Sequence, residues 1–237
     1  TVLRETKPDI VFHLASLYLA THKPGEVVDL INSNVAFPST LAEAMDLAGV
    51  RRLINTGTAW QHFRTTGYNP VNLYAATKQA ASDILAYYCD ALNFSLVTLE
   101  LYDTYGCGDT RRKLVQLLVD AAASASSLDM SPGEQTIDLS HVDDVVDAFL
   151  VAARRVMKAS TPINERFLIS GERMTVRQLV TLVGNSLESK PQVTFGARAY
   201  REREVMEPVA PKAADRLPGW QPKRQLATAV PELVQST

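Results

Sequence analysis

The chain has 237 residues, 46% of them hydrophobic and 21% charged, with a formal net charge of -2. That mixture can fill a sizeable core, and it lacks the basic surplus on which general nucleic-acid binding depends. Two cysteines, Cys89 and Cys107, are too few for a disulfide framework or a cysteine-rich metal site. There is no run of roughly 18 apolar residues to span a membrane, and the polar opening "TVLRETKPDI" does not resemble a signal peptide. We therefore expect a cytoplasmic protein with no metal, no nucleic-acid partner and no membrane partner.

In chain order, "PDIVFHLAS" (8–16) reads as a strand buried on both faces. "NSNVAFPSTLAEAMDLAGV" (32–50) reads as a helix capped at Ser39 or Thr40. Its apolar stripe is Leu41, Ala44, Met45 and Ala48, and Gly49 ends it. "RRLINTGT" (51–58) is a second strand, running into small polar residues. After a loop broken by Gly67 and Pro70, a helical pattern runs from about Leu73 to Leu92, and "FSLVTLELY" (94–102) is a third strand. Further on, helices are expected at 113–125, 142–157 and 175–187, the last capped by Thr175. Strands are expected at 135–142 and 164–170, with an edge strand at 191–195.

Alternating strands and helices with short joints predict right-handed crossovers and a parallel sheet. Ligands then lie beyond the carboxyl ends of the strands. The polar endings "HLAS" (13–16), "NTGT" (55–58) and "YDTYG" (102–106) are thus the segments in which to seek a site. Tyr74 and Lys78 lie four apart at the head of the 73–92 helix, on one face of it. A lysine charge there favours the phenolate and lowers the tyrosine pKa from about 10. Thr56 and Thr58 share one side of their strand while Gly57 faces the other. Both hydroxyls are candidates, and Thr58 is preferred because it reaches further past the strand end.

"DIVFHLAS", "RLINTGTAW", "NLYAATK", "LELYDTYG", "DLSHVDDVVDAF" and "LPGWQP" occur in an order that resembles the extended short-chain dehydrogenase/reductase superfamily. This is the branch of NAD-dependent nucleotide-sugar epimerases, dehydratases and reductases. "INTGTAWQH", "SPGEQTIDLSHVDD" and "REREVMEP" look most like its 4-keto-sugar reductases of the CDP-abequose and CDP-paratose synthase type. The resemblance implies a Rossmann-like, doubly wound parallel α/β sheet with a smaller C-terminal substrate-binding α/β region. Residues 1–105 and 136–158 would form the dinucleotide-binding domain, and 106–135 and 159–237 the substrate domain.

The resemblance also implies roles. Tyr74 would donate a proton to a C4 keto oxygen, Lys78 would hold the nicotinamide ribose, and Thr58 or Thr56 would bond the same oxygen. His13, Leu14, Ala15, Ser16 and Tyr102 would line NAD or NADP, together with Thr56, Tyr74 and Lys78. Asp103, in place of the usual Asn, would contact the sugar. Arg111, Arg112, Lys113, Arg201 and Arg203 would grip the diphosphate, arginine being suited by its planar fork of donors. Ile137 stands where many relatives have another arginine. A gap-free overlay places Gly57 near the catalytic hydroxyl position.

No Gly-x-x-Gly-x-x-Gly turn is present. The resemblance opens this chain in the helix before the fourth strand, with about 60 residues of the fold preceding it. A fragment or part-record of a longer protein is expected, with the residue that separates NAD from NADP outside it. A homodimer through helices 34–48 and 74–92 is also implied. The expected function is reduction of a 4-keto-6-deoxyhexose on a nucleotide diphosphate. The alternatives are a C4 epimerase with retained NAD, and a non-catalytic Rossmann-like binding protein.

Overall fold

A computed structural model describes residues 2–109, 111, 113–124, 126–187 and 189–234. The chain divides into two compact units. The first comprises residues 1–101, 147–169 and 211–220, and the second 102–146, 170–210 and 221–237.

The first unit opens with a short helix, α1 (Val2–Thr6), and strand β1 (Val11–His13). A helical stretch follows: α2 (Val27–Ile31), a π-helical turn (Asn32–Ala36) and α3 (Phe37–Ala48). Then come β2 (Arg52–Thr58), α4 (Leu73–Leu92) and β3 (Ser95–Leu101). All strands of its sheet are parallel, in the order β1-β2-β3-β7, with β7 at Asn164–Ile169. Leu53 and Ile54, neighbours on β2, are both buried, as a strand covered on both faces requires. Ala42 and Met45 of α3, Leu85 and Tyr88 of α4, and Leu53, Phe94 and Leu96 form one apolar cluster.

The ends of α4 follow from two asparagines. Asn72 accepts the Ala75 N–H through its side chain at 2.9 Å, capping the start. Asn93 takes φ 55°, a left-handed conformation that asparagine tolerates, and closes the end. Gly49, at φ 74°, closes α3 in the same way.

The start of α3 differs from the sequence expectation. Ser39 and Thr40 do not cap it; their hydroxyls donate to Val35 O and Phe37 O at 2.7 and 2.9 Å inside a helical run that begins a dozen residues earlier. Pro38 has no N–H to give the preceding turn. Just before it the chain widens to a π turn, in which the Phe37 N–H bonds Asn32 O, five residues back. The first strand is also shorter than expected, because pairing with β2 ends at His13↔Asn55.

The second unit contains β4 (Asp103–Tyr105), α5 (Leu114–Ser124), β5 (Ser127–Met130), β6 (Thr136–His141), β8 (Glu172–Thr175), α7 (Val176–Leu187), β9 (Gln192–Phe195) and α8 (Leu226–Val234). Strands β4, β6 and β8 form a mixed sheet, and β5 pairs with β9 in parallel. The core gathers Tyr105, Leu118, Leu139, Val176, Leu179 and Leu226. Thr175 caps α7: its hydroxyl accepts the Gln178 N–H at 3.1 Å, and Gln178 returns a bond to the Thr175 N–H at 2.8 Å. Helix α6 (Val142–Lys158) begins in this unit and ends in the first. The boundaries differ from those read in the sequence. Strand β6 lies in the second unit, and β7 extends the four-stranded sheet by pairing with β3.

Candidate active site

In the first unit, α4 carries Tyr74 and Lys78, packs on β2, and packs on the short 3-10 turn Ala59–Gln61 that follows Thr58. Lys78 is 2% exposed, and no acceptor among the described residues bonds its ammonium. Burial pulls its pKa from 10.5 to about 8. The Tyr74 ring meets Tyr18 edge-on at 5.0 Å between centroids, and Tyr18 lies 5.8 Å from Trp60. An aromatic wall therefore flanks the tyrosine.

The two threonines differ in what their hydroxyl protons do. The Thr56 hydroxyl donates to His13 O at 2.9 Å. The Thr58 oxygen instead accepts the Trp60 N–H at 3.3 Å, and its own proton has no acceptor among the described residues. Gly57 points to the other side. A Cβ there would come within 2.7 Å of Glu100 Cγ and 3.0 Å of Thr98 Cγ2, so glycine is required by close approach. Glu100 is buried and accepts from His62 Nε2 at 2.8 Å and from Arg166 Nη1 at 3.1 Å, while the His62 Nδ1 faces Gly67 O at 3.0 Å. Burial alone would lower the His62 pKa, but the Glu100 carboxylate, with help from the Gly67 carbonyl, raises it.

The other residues expected at a cofactor gather nearby. His13 is buried, its Nδ1 2.8 Å from Asn55 Oδ1, while its Nε2 has no partner among the described residues. Burial lowers its pKa, and the Lys78 charge adds to the effect. Leu14, Ala15 and Ser16 leave the sheet after β1 as irregular chain. A cavity of about 570 Å³ opens beside them, lined by Ala15, Leu17, Asn32 and Phe37 among others. A buried ammonium without an acceptor, an orphaned imidazole nitrogen and this cavity fit the hydroxyl-rich ribose of a dinucleotide.

Sequence reasoning missed Asn34, which holds this region together. It lies on the π turn, 1% exposed. Its Oδ1 accepts the Leu17 N–H at 2.8 Å and the Ser16 hydroxyl at 3.3 Å. Its Nδ2 donates to Leu17 O at 2.9 Å and to Thr77 Oγ1 at 3.0 Å, and the Thr77 hydroxyl donates to Tyr74 O at 2.7 Å. The available signal was an asparagine four residues before a proline inside an otherwise helical pattern.

The remaining expected residues lie in the second unit. The Tyr102 hydroxyl donates to Val209 O. Asp103 opens β4 and is exposed. Arg111 is doubly bonded to Asp109, at 2.8 and 3.0 Å. The Lys113 ammonium donates to Thr104 O and Oγ1 at 2.9 and 2.7 Å and pairs with Asp109 at 3.3 Å. Arg201 faces Glu204 at 3.5 Å, and Arg203 is exposed. Arg112 lies outside the described residues. Asp144 is structural: its carboxylate accepts the Lys223 and Arg224 backbone N–H groups at 3.1 and 2.9 Å. No group of three or more potential metal ligands occurs among the described residues, and no helix there is long and apolar enough to cross a membrane.

In this parallel sheet Thr58 ends β2 and the next helix, α4, carries Tyr74 and Lys78, and the sequence profile of the NAD dependent epimerase/dehydratase family matches residues 1–168. The chain belongs to that family. A CDP-abequose synthase from Yersinia pseudotuberculosis is 28% identical over 209 residues, 87% of this chain and 71% of the relative. A UDP-glucose 4-epimerase from Mycolicibacterium smegmatis is 26% identical over 250 residues, 99% of this chain and 77% of the relative. Among solved structures, UDP-glucuronic acid 4-epimerase from Bacillus cereus, in complex with UDP-glucuronic acid and NAD, superposes with a TM-score of 0.87. That match has 18% identity and covers 100% of this chain and 78% of the other, a likeness of fold.

Proposed function

We propose that this protein is an NAD(P)-dependent oxidoreductase that reduces a 4-keto-6-deoxyhexose carried on a nucleotide diphosphate, with Tyr74 as proton donor. The observation that carries the reading is the Lys78 ammonium, buried one helical turn from Tyr74 with no acceptor among the described residues. Its charge favours the phenolate, so Tyr74 releases its proton more readily to an oxygen that is becoming an alkoxide. Thr58 bonds the same oxygen. It is the better placed of the two hydroxyls, because the Thr56 proton is committed to His13 O.

The dinucleotide supplies hydride when bound. Lys78 and His13, with Leu14, Ala15, Ser16 and Tyr102, are the residues to hold it. Arg111 and Lys113 meet a diphosphate only by exchanging Asp109 for it, a swap of one anion for another. Arg201 and Arg203 are assigned the same partner, and Asp103 the sugar. The likeness to CDP-abequose synthases supports a CDP-linked substrate. Exposed Leu47 and Tyr87, on α3 and α4, support a homodimer through those helices.

A second reading, C4 epimerisation with the cofactor cycling in place, is favoured by the UDP-glucose 4-epimerase that matches 99% of the chain. Incubation of the intact protein with a CDP-4-keto-6-deoxyhexose and NAD(P)H separates the two. Reduction oxidises one NAD(P)H per sugar; epimerisation converts a nucleotide sugar without net consumption. Thr58→Val should lower the reductive rate by about 10²-fold and Thr56→Val by less than about tenfold; the reverse order would reassign the hydroxyl.

A further inference from the structure

Gln61 is 1% exposed and bonded at both ends of its amide. Its Oε1 accepts the Thr58 N–H at 3.0 Å, and its Nε2 donates to Gln79 Oε1 at 2.8 Å. Gln79 follows Lys78 on α4, and its Nε2 donates to Asp83 Oδ1 at 2.7 Å. The direction of this chain is fixed at both ends. A reversed Gln61 amide would set N–H against the Thr58 N–H, and a reversed Gln79 amide would set oxygen against the Asp83 carboxylate. Gly57 makes room for it, since a Cβ there would press within 3.3 Å of Gln61 Oε1.

We infer that Gln61 is a positioning residue that sets the distance between the Thr58 hydroxyl on β2 and the Tyr74–Lys78 face of α4. One buried side chain joins the strand end to the helix, so the two proton donors to a substrate oxygen move as a unit. The inference rests on the roles assigned above to Thr58 and Tyr74. Misplacing reacting groups by about 1 Å costs on the order of 10²-fold in rate while leaving ground-state contacts in place. The link therefore acts on kcat rather than on KM.

The test is steady-state reduction of a CDP-4-keto-6-deoxyhexose by the intact protein. Gln61→Met should lower kcat by about 10- to 100-fold, with KM for sugar and dinucleotide within about twofold. Its cost should shrink to less than about threefold in a Thr58→Val background, because the two act through one contact. Gln61→Glu accepts from Thr58 but cannot donate to Gln79. Adding Asp83→Asn lets the Gln79 amide reverse and should return kcat to within about threefold of the parent. A Gln61→Met enzyme within twofold of the parent, an additive cost with Thr58→Val, or a folded Gln61→Glu/Asp83→Asn protein as slow as Gln61→Glu would overturn the inference. Tyr74→Phe run in parallel separates the levels: undiminished turnover there sinks the assigned reaction itself, whereas loss there with full activity in Gln61→Met overturns the Gln61 link alone.

Discussion

Lys78 holds a positive charge where almost no water reaches it, and burial brings its pKa to about 8 against 10.5 in the open chain. At pH 7 it is charged in both folded and unfolded states, so the whole desolvation cost weighs on the fold. Above about pH 8 the folded lysine sheds its proton first. Stability should therefore rise with pH up to about 10.5 and fall again as pH drops through 8. Lys78→Met removes the charge and should stabilise the dinucleotide-free protein at pH 7 by about 1–3 kcal/mol, with the gain fading toward pH 10. Urea unfolding of both proteins across pH 7–10 measures it, and a variant less stable than the parent at pH 7 would show that the ammonium is satisfied. The Tyr74–Lys78 spacing was legible in the sequence, as was the pair Thr56/Thr58. Which hydroxyl proton is free was not, because it depends on His13 O, from a neighbouring strand, and on the turn after Thr58.

At the scale of elements, the asparagine caps of α4 and the αL glycine of α3 are local chemistry, and the sequence reveals α4 to within a residue. The π turn before α3 was hidden. Ser39 and Thr40 look like caps, but Asn34 ties the preceding turn to Leu17 and Thr77, segments 17 and 43 residues away. Short β4 and β8 were missed for the same reason, since among the described residues each pairs with β6 alone. Asn34→Ala takes the described partner from the Leu17 C=O, leaves the Leu17 N–H with the Ser33 hydroxyl alone at 3.0 Å, and should cost about 1–3 kcal/mol. Hydrogen exchange at Leu17 should quicken with it. Unchanged exchange would mean that the loop after β1 is held by something else.

Across the whole molecule, the buried parallel runs made the nucleotide-binding sheet readable, and six motifs in order pointed to the family that the profile match shows. The division into units was less readable, since β7 and β6 are alike in length and pattern and only their pairing partners assign them. Everything proposed converges on one phenol at the head of α4. Turnover of a CDP-4-keto-6-deoxyhexose by the intact protein and its Tyr74→Phe variant is the most direct measurement. The account predicts a fall of about 10²- to 10⁴-fold in kcat with dinucleotide affinity held within about threefold. Turnover by Tyr74→Phe equal to that of the parent would contradict it.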